Sequence, residues 1–224
     1  MNQVVEYYDR IARQYDLDRF GNSYGQYIDA QERKLLKRWK VGTDDGKTLE
    51  IACGTGRLLD FATAGVDASC EMLEIARKKY PGKRLEHAFG NSTPFADGEF
   101  ATIYSFHLMM HLDMDEINGI LAEAHRLLRP GGRLIFDIPS RLRRRIVRRP
   151  PSGWHGDTSM TLDSVATLAG DNGFTLARSG GIMMLPVHRL PSFARRFVRG
   201  IDSVLTCSPL KEYSSYLVVE LTRQ

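Results

Sequence analysis

The sequence predicts an α/β chain, a doubly wound parallel sheet preceded by two helices. Short apolar runs of strand length alternate with helical periodicities from Lys47 to Ile138, and such alternation implies parallel strands joined by crossover helices. Glycine and proline clusters punctuate the joints, as turn chemistry requires. One strand runs straight into Cys53-Gly-Thr-Gly56, a turn that lets backbone approach a ligand because glycine carries no Cβ.

Val4 to Tyr15 places apolar residues at 4, 7, 8, 11, 12 and 15, one helix face. Tyr27 to Trp39 continues with Ile28, Leu35, Leu36 and Trp39 amid charges, and Gly21, Asn22, Ser23 and Gly25 separate the two. Thr48 to Ala52 is a strand, Arg57 to Ala62 a helix of about two turns, and a brief strand ends at Val66-Asp67. Cys70 to Tyr80 is helical in period, and Pro81-Gly82 stops it. Leu85 to Phe89 and Thr102 to Phe106 are strands, Ile117 to Leu128 a helix closed by Pro130-Gly-Gly132, and Arg133 to Ile138 a fifth strand. Beyond Pro150-Pro151, Thr161 caps a helix ending near Gly173. Thr175 to Leu185 is a strand broken by Gly180-Gly181, Pro191 to Leu205 a basic helix, and Tyr213 to Thr222 a last strand.

A chain of 224 residues, 42% hydrophobic, buries enough surface to fold without disulfides or metal. Cys53, Cys70 and Cys207 cannot all pair and form no C-x-x-C, which fits a reducing, cytoplasmic compartment and argues against zinc. The first ten residues carry charge too early for a signal-peptide core, and no run of about 18 apolar residues exists to span a membrane. The net charge is +4, yet Arg141 to Arg149 holds six arginines and no acid; without them 25 basic face 27 acidic residues. Basicity is thus one local patch and does not by itself make nucleic acid a partner.

Leu49-Glu-Ile-Ala-Cys-Gly-Thr-Gly56 alone is a weak dinucleotide-type signal. Leu59 stands where G-x-G-x-x-G needs its third glycine, against a dehydrogenase. Three further segments follow in order: Gly65-Val-Asp-Ala-Ser69, Phe89-Gly-Asn-Ser-Thr-Pro-Phe-Ala-Asp-Gly98 and Leu128-Arg-Pro-Gly-Gly-Arg-Leu-Ile-Phe136. Together the four resemble the class I S-adenosylmethionine-dependent methyltransferases, in their small-molecule branch. The resemblance implies a Rossmann-like seven-stranded sheet with helices on both faces and the last strand antiparallel. It implies residues 1–40 as a helical lid and 41–224 as the cofactor-binding domain, in one compact unit. The expected cofactor is S-adenosylmethionine, leaving S-adenosylhomocysteine. The expected acceptor is an oxygen, nitrogen or carbon of a small metabolite or natural-product intermediate. A lipid-quinone methyltransferase at a membrane surface, an RNA methyltransferase and a non-catalytic cofactor binder are the alternatives.

Carried over by that resemblance, Ala52, Cys53 and Gly54 pass along the cofactor's methionine portion, and Glu50 orders this loop and the ammonium. Asp67 takes the ribose diol, Ala68 and Met72 flank the adenine, and Asn91 and Ser92 lie beside its edge. Phe106 lines the pocket near the sulfonium, and Tyr15 closes over the carboxylate.

Two histidines are candidate catalytic residues, since histidine titrates near neutrality. His107 follows the fourth strand at the mouth of the sheet and is a base or a pocket wall. His111 is a base or a structural, cofactor-proximal group. Trp154 and His155, in a Pro- and Gly-shaped loop, are substrate contacts or ordinary surface. The Arg141–Arg149 cluster binds an anionic substrate group, makes peripheral contact with an anionic membrane, or is a solvated helix face. Thr206-Cys207 precedes the last strand, the wrong place for a catalytic cysteine of RNA methylation, so Cys207 reads as structural. No metal constellation is visible.

Overall fold

A computed structural model describes residues 2–43, 46–147 and 158–224. Two helices, α1 (Asn2–Phe20) and α2 (Ser23–Arg38), precede the sheet. Asn22 separates them because its side chain accepts from the amides of Tyr24 and Gly25 at 3.0 Å, capping α2.

The strands are β1 (Thr48–Ile51), β2 (Ala64–Asp67), β3 (Arg84–His87), β4 (Phe100–Ser105), β5 (Leu128–Pro139), β6 (Phe174–Ile182) and β7 (Tyr216–Arg223). They form one seven-stranded sheet in the order β3-β2-β1-β4-β5-β7-β6. β1 to β5 pair in parallel, whereas β7 inserts antiparallel between β5 and β6. The Rossmann-like sheet with an antiparallel last strand is therefore present.

Helices α3 (Cys70–Lys79), α4 (Met114–Leu127), α5 (Arg141–Val147), α6 (Leu162–Asp171) and α7 (Ser192–Leu205) complete the fold. Ser69, Asp113 and Thr161 cap α3, α4 and α6 through side-chain oxygens. One face of the sheet packs Ile117, Leu121, Ala124, Val165 and Phe174 into the larger core. The other face buries Leu36, Trp39, Leu73, Ala76 and Tyr104 under α2 and α3. Among the described residues, no helix is long and apolar enough to cross a membrane.

The sequence reading needs correction at one place. Arg57 to Ala62 is not a two-turn helix but a single 3-10 turn over Leu59–Phe61. The amides of Phe61 and Ala62 bond Leu58 O and Leu59 O in the tighter turn, and the carbonyls of this stretch also take side-chain donors. Tyr104 Oη donates to Leu58 O at 2.7 Å, Lys83 Nζ to Leu59 O at 2.5 Å and also to Ala62 O, and Arg33 to Arg57 O. In addition, the arginine stretch begins as α5, in which Arg145 is exposed and Arg141 binds the carbonyl of Ser159 at 2.9 Å. Arg148 and Arg149 lie outside the described residues.

α7 is held from below by a fully buried carboxylate. Asp202 accepts from Tyr27 Oη at 2.6 Å, Gln31 Nε2 at 2.7 Å and Leu185 N at 2.7 Å. Asp202→Ala is expected to remove about 2–3 kcal/mol of local stability, because three buried donors lose their acceptor. Hydrogen exchange should show it as faster exchange in α7 with the β1–β5 amides unchanged.

Candidate functional site

Strand order reverses between β1 and β4, and ligands of such sheets bind outside the carboxyl ends of strands at that point. A mainly apolar cavity, open at its mouth, lies there. Its walls come from the turns after β1, β2 and β4 and from α1.

The turn after β1 is built from unusual backbone. Ala52 sits at φ +57° and Gly54 at φ +53°, the left-handed region where a side chain crowds the chain. A Cβ at Gly54 would meet nothing within 4 Å, so the glycine serves conformation and leaves backbone bare toward the cavity. Asp67, at the end of β2, locks this turn. Its carboxylate accepts from Gly54 N at 2.7 Å and Ser69 N at 2.8 Å. Removal from water raises the Asp67 pKa, and these two amide bonds oppose that rise.

Behind β1 lies Glu50, buried against Tyr104, whose hydroxyl donates to it at 3.3 Å. Burial pushes its carboxyl up to about 8, although Arg57 and Tyr104 pull the other way. Cys53 is buried beside it, and burial likewise raises its thiol.

α1 covers the turns through two carboxylates. Asp9 accepts from Ser69 Oγ at 2.5 Å and Asp16 from Thr55 Oγ1 at 2.6 Å. This places Tyr8 and Tyr15 at the cavity wall with their rings edge to face, centroids 5.7 Å apart. Tyr8 Oη meets His111 Nε2 at 3.1 Å.

His107 adopts φ +61°, which turns its ring beneath the cavity. Its amide donates to Asp137 Oδ1 at 2.7 Å. Nε2 stands 2.7 Å from Glu32 Oε1, an ion pair more than an aligned hydrogen bond, and Nδ1 stands 3.6 Å from Asp137 Oδ2. Burial lowers the ring's pKa, but Glu32 and Asp137 outweigh it and hold the pKa above the ordinary histidine value. Both nitrogens thus face carboxylates. Arg57 completes the group, 2.6 Å from Glu32 Oε2 and 2.6 Å from Asp29 Oδ1, with Phe20 stacked 4.1 Å away. Burial disfavours the Glu32 anion, yet Arg57 and His107 together keep its pKa below the usual value.

Of the residues expected from sequence, Tyr15, Ala52, Gly54, Asp67, Ala68, Met72, Asn91, Phe106, His107 and His111 converge on the cavity wall. Glu50, Cys53 and Ser92 do not line it: the first two lie behind β1, and Ser92 closes a turn through its amide to Phe89 O at 3.0 Å. Trp154 and His155 lie outside the described residues. Sequence reasoning missed Glu32, Arg57 and Tyr8. Glu32 had a signal, because Ile28, Glu32 and Leu36 are four apart and share the buried stripe of α2. Tyr8 counted only as apolar. No metal-binding cluster of His, Cys, Asp or Glu occurs among the described residues.

Two outcomes follow from these charges. A carboxyl raised on folding contributes stability below its unfolded value and loses it as pH rises through its folded value. Stability should therefore fall between the ordinary carboxylate range and about pH 8, and Glu50→Gln should flatten that fall in thermal melts across the window. His107→Ala leaves Glu32 and Asp137 buried without their shared partner. It should cost about 3–5 kcal/mol in denaturant unfolding.

Residues 49–136 match the family model described as a methyltransferase domain. A ubiquinone/menaquinone biosynthesis C-methyltransferase of Desulfotalea psychrophila is 30% identical over 142 residues, 59% of this chain and 56% of that protein. A demethylmenaquinone methyltransferase of Chlorobaculum parvum is 33% identical over 140 residues, 58% of this chain and 57% of its own length. The chain thus spans little more than half the length of these relatives. Among solved structures, an S-adenosylmethionine-dependent methyltransferase of Thermotoga maritima, a possible histamine N-methyltransferase, superposes with a TM-score of 0.69 at 21% identity, covering 97% of this chain and 98% of that one. The magnesium protoporphyrin IX methyltransferase of Synechocystis with bound S-adenosylhomocysteine gives 0.67 at 14% identity, covering 100% and 99%. At such identities the likeness shows the fold. The matched segment runs from β1 into β5 and carries the turns that shape the cavity, so over residues 49–136 this chain is similar to a methyltransferase domain.

Proposed function

We propose that this chain transfers a methyl group from S-adenosylmethionine to an oxygen, nitrogen or carbon of a small molecule. The observation that supports this most directly is the cavity at the strand-order reversal, with bare backbone at Gly54 and a carboxylate, Asp67, locked beside it. These features fit a nucleoside linked to an amino acid. Asp67 has oxygen lone pairs left after its two amide bonds and takes a ribose diol, a charge-assisted contact. Ala68 and Met72 flank a purine, Asn91 meets its edge, and Phe106 lines the reacting end. When bound, S-adenosylmethionine supplies a methyl already activated on a sulfonium.

The chain's own task is then alignment, which lowers a barrier by about 7–11 kcal/mol. Glu32 and Asp137 hold the His107 ring in place at the cavity wall. For an acceptor that carries a proton, His111 paired with Tyr8 receives it. Residues 1–40 act as the lid, with α1 sewn over the turns by Asp9 and Asp16. Trp154 and His155 contact the acceptor. The three cysteines stand as free thiols, which supports a cytoplasmic setting. A second reading, an isoprenoid quinone as acceptor, is supported by the names of the two relatives, both quinone methyltransferases.

Incubation with methyl-labelled S-adenosylmethionine and a cell extract split into polar metabolites, lipids and RNA tests this. Label is expected in the polar fraction; label in lipids favours the quinone, and label in RNA alone overturns both readings. Asp67→Ala should abolish cofactor binding in calorimetry, and unchanged affinity would remove the assignment of the site.

A further inference from the structure

The buried Asp202 contacts fix which way α7 faces. Opposite them, Phe193, Phe197, Ile201 and Val204 recur at helical spacing and form one stripe. They are 76%, 64%, 57% and 70% exposed. Scattered exposed apolar residues are ordinary, but four large ones aligned on one helix mark a surface for contact.

The α2 side of α7 is basic. Arg199 is exposed and lies over the Tyr27 ring at 5.1 Å. From α2, the exposed Lys34 reaches Ser203 Oγ at 3.3 Å, and Arg38 reaches Cys207 Sγ at 2.7 Å. Asp202 is the one acid in the α7 sequence and faces inward. A 3-10 turn over Pro209–Tyr213 packs against both α7 and α5. It exposes Leu210 and Tyr213, and α5 in turn exposes Ile146 and Val147 beside its arginines.

We propose that this face docks on an anionic phospholipid bilayer, with α7 lying in the plane of the interface. The apolar stripe enters the acyl boundary, and the flanking arginines and lysines meet headgroup phosphates. Charge decides the occupant. A second copy joined by two-fold symmetry sets this basic side against itself, whereas a bilayer presents the opposite sign.

The test is sedimentation of the full chain with vesicles of phosphatidylcholine, alone or with about one-third phosphatidylglycerol as the anionic lipid. The chain should pellet with the anionic vesicles and far less with neutral ones. The Phe193→Ser, Val204→Ser double variant should lower the bound fraction at least about tenfold, since binding scales with the apolar area inserted. Its thermal melt should stay unchanged, because both side chains already face solvent. Three results overturn the proposal: no pelleting with anionic vesicles, equal pelleting by the double variant, or a dimer that these substitutions dissociate. Vesicle binding is read without turnover, so its failure and the failure of the methyl-transfer reading are separate outcomes.

Discussion

Arg57, Glu32, His107 and Asp137 come from four places: the turn after β1, α2, the segment just after β4 and the carboxyl end of β5. Their charges meet below the cavity within 2.6 to 3.6 Å of one another. Buried charges are tolerated only in company, since a lone ion loses its hydration with nothing in return. The group therefore ties the N-terminal helices to the sheet. Glu32 can leave water only where Arg57 and His107 stand, and His107 takes its left-handed backbone only with Asp137 at its amide. Packing alone orients α2 loosely; the ion group fixes its register against the strand ends.

The same charges set the electrical character of the cavity. Asp67 lines the cavity, while the buried Glu32, Glu50 and Asp137 lie behind the wall, Glu32 facing Arg57 and His107 and Asp137 facing His107. Burial raises the pKa values of Glu50, Asp67 and Asp137.

Much of this was legible in sequence, and what was not has physical causes. The strands and the cap at Thr161 announce themselves through local residue types. The turn over Leu59–Phe61 did not, because its carbonyls bind Tyr104, Lys83 and Arg33, partners 46, 24 and 24 residues away. Local periodicity cannot register such bonds. The surroundings of His107 were hidden for the same reason: its position after β4 was readable, but the carboxylate facing Nε2 comes from α2. Glu32 was the available clue, a charge in an apolar stripe.

The placement of β7 bears on how the chain is made. β7 follows β6 in sequence yet stands between β5 and β6 in the sheet. While a ribosome is still synthesising residues 216–223, β5 has an open edge and β6 has no sheet neighbour at all. An unfinished chain can assemble the cofactor-facing half, from β3 through β5, but it exposes apolar strand edges where β7 will sit. β7 closes the sheet from within, so the facing edges of β5 and β6 stay open until residues 216–223 have been made.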